Sequence, residues 1–155
     1  MRKLIKGHIT ARLLDQNGKL KQEIQIENQI VNDIYTMMFV SARNLSPLNV
    51  YIGYDEGDAV APSDPSLHWA DITGYMIDSK SIAAIGMGYQ SYEYRCLYPS
   101  SSFAPPSTTD RNVDLIALKH ANGNTLYAYK KLTTPIVQTP SDYLEIIYAL
   151  SAVIG

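Results

Sequence analysis

The chain is dominated by alternating apolar and polar positions. Ile9, Ala11 and Leu13 alternate with His8, Thr10 and Arg12, and the chain then meets Asp15-Gln16-Asn17-Gly18. A period of two puts each set on one face of a strand. Asn-Gly accepts the positive φ that a tight hairpin turn demands. Residues 7–27 therefore read as a β-hairpin, with Leu20, Ile24 and Ile26 on one face of the return strand. The period then changes. Ile30, Ile34, Met37 and Met38 fall at helical spacing, which predicts one short amphipathic helix over residues 29–43 with Asn28 as its cap and the two methionines in the core.

Alternation returns in residues 48–53, a strand ending at Gly53. Residues 55–66 carry Asp55, Glu56, Asp58 and two prolines and read as a loop, which Leu67 and Trp69 tuck back onto the body. Residues 70–87 hold a short strand around Tyr75 to Ile77, followed by Gly86 and Gly88. From Tyr89 the pattern is clear: Tyr92, Tyr94, Cys96 and Tyr98 share one face, opposite Glu93, Arg95 and Leu97. Residues 99–110 are rich in Ser, Thr and Pro and read as an exposed loop. A second hairpin follows, with strands at 113–119 and 125–132 around Ala121-Asn122-Gly123-Asn124. Thr133-Thr134-Pro135 breaks the alternation before a final strand at 143–153. Leu144, Ile146, Tyr148, Leu150 and Ala152 form one face of that strand, and the opposite face is nearly as apolar, so it belongs inside a sheet. About seven strands separated by turn signals predict a mainly β, antiparallel sandwich-like fold of a single domain over residues 1–155.

Composition narrows the function classes. The 155 residues are 46% hydrophobic and only 18% charged, against about 25% in ordinary soluble domains. A lightly charged surface suits coverage by other proteins. A formal net charge of −2 and a pI near 5.9 oppose nucleic-acid binding, which calls for a basic stripe. Arg2, Lys3 and Lys6 read as a solvated start. Cys96 stands alone, so neither an internal disulfide nor a cysteine zinc cluster can form. No apolar run approaches the roughly 20 residues that span a bilayer, and no secretory signal opens the chain, so a soluble product made in the cytoplasm with no membrane contact is expected. Twelve tyrosines against two phenylalanines suit half-buried sheet faces and interfaces.

Candidate chemistry is sparse. Nucleophile-elbow, S-x-x-K and P-loop patterns are all missing. His8, His68 and His120 stand in a strand, a loop and a turn without partners at metal-ligand spacing. Asp55, Glu56 and Asp58 invite a calcium reading, but their spacing does not match the EF-hand loop, and a solvated loop tip is expected instead. Cys96 reads as a buried small hydrophobe, since Arg95 points to the other face. No catalytic, metal or cofactor-binding residue is assigned, and no cofactor or enzymatic activity is expected.

The order of segments carries a resemblance. Gly7-His8-Ile9-Thr10 leads to Asp15-Gln16-Asn17-Gly18-Lys19 and then Glu27-Asn28-Gln29-Ile30-Val31-Asn32. Tyr51-Ile52-Gly53 precedes a loop with Pro62, Pro65 and Leu67. The close runs through Leu115-Ile116-Ala117-Leu118, Asn122-Gly123-Asn124, Tyr127-Ala128, Pro135-Ile136-Val137-Gln138-Thr139 and Leu144-Glu145-Ile146-Ile147-Tyr148. Across about two thirds of its length, mostly the two ends, the chain resembles a family of small bacteriophage tail and virion structural proteins. The resemblance implies a non-enzymatic virion component of the tail, baseplate or fibre-attachment region. It would contact other phage structural proteins, form a homo-oligomer and reside in the virion after synthesis in the host cytoplasm. Two alternatives stay open. One is a receptor- or carbohydrate-binding module using Tyr89, Tyr92, Tyr94 or Trp69; the other is a capsid decoration protein. Residues 55–66 and 99–110 are the expected partner-contacting loops.

Overall fold

The opening hairpin forms as its alternation demands. In the computed structural model, which describes residues 3–30, 48–55, 60, 67–82, 86–88, 91–98, 110–120 and 126–154, β1 (Lys3–Leu14) and β2 (Leu20–Ile30) pair antiparallel from Gly7↔Asn28 to Leu14↔Leu20. Their turn is tied by the Gly18 N–H donating to the Asp15 carbonyl at 2.9 Å and the Asp15 N–H to the Lys19 carbonyl at 2.8 Å. Asp15 Oδ1 accepts from the backbone N–H of Asn17 and Lys19 at 2.8 and 2.9 Å. Gly18 takes φ +81°, a left-handed conformation that a side chain would strain.

Seven further strands follow: β3 (Leu48–Gly53), β4 (Met76–Ile82), β5 (Gly86–Gly88), β6 (Ser91–Tyr98), β7 (Arg111–His120), β8 (Leu126–Gln138) and β9 (Tyr143–Ile154). One four-residue helix, α1 (Trp69–Ile72), runs into a 3-10 turn at Thr73–Tyr75. All strand pairings are antiparallel. The first sheet runs β2-β1-β9-β6-β5 and the second β4-β3-β7-β8, linked where β2 meets β8. The mainly β, sandwich-like class with a short helix is thus what the chain adopts.

The central core lies between the two sheets. β1 contributes Ile9, Ala11 and Leu13, and β9 contributes Leu144, Ile146 and Tyr148. Facing them are Val50 and Ile52 of β3, Val113, Ile116 and Leu118 of β7, and Ala128, Leu132 and Ile136 of β8. Burial at this interface pushes the Tyr148 phenol well above its ordinary pKa. A second cluster covers the outer face of the second sheet. Val60 and Ile72 pack there on Leu115, Ala117, Leu126 and Tyr129, with Leu67, Trp69, Tyr75 and Met76 beside them. The expected tucking of Leu67 and Trp69 onto the body is therefore what occurs.

Two placements differ from the sequence reading. Asn28 is no helix cap: it pairs with Gly7, and Gln29 and Ile30 continue β2 to pair with Tyr129 and Ala128. Pairing to β1 at Asn28 and to β8 at Gln29 and Ile30 overrides the local helical period there. The remainder of the expected helix, residues 31–43, lies outside the described residues. The helix that is described, α1, is too short to leave a periodic signal. Its first turn is closed by the His68 N–H donating to Asp71 Oδ2 at 2.9 Å.

Gly53 ends β3 for a steric reason. A Cβ there would lie 2.5 Å from the Tyr75 carbonyl oxygen, and the neighbouring Tyr54 N–H donates to that same oxygen at 2.9 Å. The 3-10 turn can seat on the strand end only because Gly53 has no side chain.

Candidate interaction site

β2 and β8 diverge almost as soon as they meet. Only Gln29 and Ile30 pair with β8, at Tyr129 and Ala128. From Leu20 to Glu27 the edge of β2 that faces β8 has no strand laddered to it among the described residues. β8 is itself irregular a few residues further on. Its register against β7 jumps from Leu115↔Lys131 to Val113↔Ile136, so Leu132, Thr133, Thr134 and Pro135 leave the ladder. Pro135 has no N–H to donate, and Thr133 and Thr134 are exposed. The break expected at Thr133-Thr134-Pro135 is thus a break in pairing, although the strand itself runs on.

A cleft of about 430 Å³ fills the gap, walled by Gln22, Ile24 and Ile26 of β2 and by Lys130 to Thr134 of β8. Ile24 and Ile26 are partly buried against the central core, while Leu20 at the strand start is 49% exposed. The rim is polar. Arg12 Nε lies 3.1 Å from Glu23 Oε2, and Lys21 Nζ lies 2.9 Å from Asp142 Oδ2. Asp142 braces the β8–β9 turn, because Oδ2 also accepts the Thr139 N–H at 3.0 Å. Burial of Asp142 opposes ionisation, but hydrogen bonds from Lys21 and Thr139 outweigh it and hold the carboxyl below its ordinary pKa. An apolar floor, two lysines and two hydroxyls on one wall and unladdered backbone on the other suit an extended peptide; among the described lining residues there is no nucleophile–base pair.

None of the family models, curated proteins or solved structures compared with this chain matches it.

The described residues among those singled out from sequence stand on several different elements. His8 is half-buried in β1, His68 is exposed at the start of α1, and His120 ends β7. Cys96 of β6 is in register with Ile146, and Arg95 with Ile147. Tyr92, Tyr94 and Tyr98 stand in register with Leu150, Tyr148 and Leu144. Trp69 is a packing residue: its ring centroid lies 4.5 Å from that of Tyr51, and Lys119 Nζ sits 5.2 Å above it. Tyr89, Glu56, Asp58, the turn at 121–124 and residues 61–66 and 99–109 lie outside the described residues. Among the described residues no helix is long and apolar enough to cross a membrane.

Asp55 requires a correction. Instead of a solvated tip, it is 2% exposed. Its Oδ2 accepts the Val60 N–H at 2.7 Å and lies 3.0 Å from Lys131 Nζ. Its own N–H donates to Asp114 Oδ1 at 2.8 Å. Asp114 and Lys131 escaped the sequence reading. The available signal was an acid inside the apolar run Val113-Asp114-Leu115-Ile116; the β7 register shifts at that position.

Proposed function

We infer that this chain is a non-enzymatic structural component of a bacteriophage virion, acting in the tail, baseplate or fibre-attachment region through protein–protein interfaces. The observation that supports this reading is the cleft between β2 and β8. An open strand edge beside an apolar floor suits an extended segment of a neighbouring subunit, which would add a strand next to β2. Backbone hydrogen bonds supply affinity in such docking, and side-chain pockets supply register. The low charge and high tyrosine content favour the same role. The virion setting comes from the segment order of the sequence, and neighbouring copies of this chain in a symmetric homo-oligomer are the expected occupants, alongside other phage structural proteins.

The sugar-binding alternative loses one of its aromatic candidates, because Trp69 is packed against Tyr51 and Lys119. Light scattering at several concentrations, followed by incubation with purified phage tail or capsid components, tests the assembly reading. A defined oligomer or co-assembly is expected, and Thr134→Lys on the exposed wall of the cleft should weaken either one at least tenfold without unfolding the chain. A strict monomer that ignores those components would overturn the proposal and shift weight to a carbohydrate-binding module.

A further inference from the structure

Three ionisable side chains are buried together in the second sheet, and one of them, Lys131, also stands in the wall of the cleft. Asp55, Asp114 and Lys131 are 2%, 5% and 6% exposed. They come from neighbouring lines of the sheet: Asp55 just after β3, Asp114 on β7 and Lys131 on β8, in the spatial order β3-β7-β8. Lys131 Nζ lies 3.0 Å from Asp55 Oδ2. Asp114 Oδ1 accepts the Asp55 backbone N–H at 2.8 Å, which keeps the second carboxyl beside the residue that bears the first. Leu115, in register with Lys131, and Val60, whose N–H donates to Asp55 Oδ2, are buried apolar neighbours.

We propose that Lys131 and Asp55 condense into an intramolecular amide, with Asp114 as the acid–base group. Two opposite charges buried together carry a desolvation penalty that their attraction offsets only in part. Moving the ammonium proton to the Asp55 carboxylate gives a neutral amine and a neutral acid, the forms a poorly solvated site favours. The Nζ lone pair then attacks Asp55 Cγ, and the carbonyl π electrons move onto oxygen. Asp114 takes a proton from the attacking nitrogen and delivers it to the departing hydroxyl, so the C–O bond breaks and water leaves. One ammonium and one carboxylate become one amide and one water, with no oxidant, reductant or cofactor consumed. Holding nucleophile and acyl carbon together replaces a bimolecular encounter, an effect worth effective molarities of about 10⁵ M or more in well-aligned cases. A desolvated lysine is the form in which this side chain serves as a nucleophile.

The product would tie the end of β3 to β8 across β7 by a covalent bond, a reinforcement suited to a part that bears load. It would form whether or not the cleft docks a partner, so the failure of either idea leaves the other standing.

Intact-mass spectrometry and a tryptic map of the full-length folded chain provide the test. The expected result is a mass one water below that of the sequence, no cleavage after Lys131, and a branched peptide joining Asp55 to Lys131. Lys131→Arg should show the full mass. Asp114→Asn should crosslink about 100-fold more slowly, the loss that follows removal of a general acid–base group. A wild-type chain of full mass that is cut normally after Lys131, even after days of incubation, would overturn the proposal. So would a water loss mapped to any other residue, and the wild-type mass decides the matter even where a variant fails to fold. Crosslinking of Asp114→Asn at the wild-type rate would overturn the role given to Asp114.

Discussion

The β1–β9 seam and the β2–β8 cleft are built from similar strands and end very differently. β1 and β9 pair without interruption from Lys3↔Ile154 to Leu14↔Tyr143, and Ile9, Ala11, Leu13, Leu144, Ile146 and Tyr148 beneath them are buried. β2 and β8 pair only at Gln29↔Tyr129 and Ile30↔Ala128. The difference does not arise in β2, whose Ile24 and Ile26 still lean on the core. On the β8 side, pairing with β2 ends at Tyr129, and a few residues further on the stretch 132–135 leaves the β7 ladder, with Pro135 lacking an N–H donor. The seam that closes between β1 and β9 is thus left unladdered between β2 and β8 over residues 20–27 among the described residues. Unladdered strand edges are normally blunted or covered, and among the described residues this one, beside an apolar floor, has no strand laddered to it.

This comparison can be broken by mutation. Ile146→Ala in the closed seam should cost about 2–5 kcal/mol in chemical denaturation, the range for truncating a fully buried side chain. Gly53→Ala should cost about 1–3 kcal/mol by overpacking, since its methyl would meet the Tyr75 carbonyl; a neutral result would show that the turn does not bear on the strand end. Asp142→Ala should remove about 1–3 kcal/mol, because the β8–β9 turn loses a carboxylate acceptor.

The pH dependence of that last effect has a definite sign. Hydrogen bonds from Lys21 and Thr139 hold the folded pKa of Asp142 below its ordinary carboxylate value, so its stabilisation is present above that ordinary value and is lost as pH falls through the folded pKa. Urea midpoints of the wild type should therefore fall toward those of Asp142→Ala at strongly acidic pH. Smallest of all, Ile24→Ala should cost about 1 kcal/mol or less, because its side chain already borders the open cleft. An Ile24→Ala cost equal to that of Ile146→Ala would mean that the cleft is as closed as the seam.

Legibility followed the range of the interactions involved. The Asp15 to Gly18 turn and the interior position of the last strand were readable because their causes are local: an Asx side chain, a glycine and an uninterrupted apolar pattern. The pairing break at Thr133-Thr134-Pro135 was visible for the same reason. Asn28 and Ile30 misled because the local helical signal competes with pairing of Asn28 to Gly7 and of Gln29 and Ile30 to β8, which no local window contains. Trp69 to Ile72 fold into a helix too short to show a period. Asp55 read as a solvated acid because Lys131, its buried partner, lies 76 residues away. The cleft was legible only in part: the β8 break could be seen, but not that it would face Ile24 and Ile26.

Hydrogen exchange of β2 tests the docking account most directly, with amides 20–27 compared at low and high chain concentration and after addition of purified phage tail components. The account predicts that these amides gain protection on association while those of β1 and β9 stay unchanged. Association that leaves residues 20–27 as exchangeable as in the free chain would contradict it.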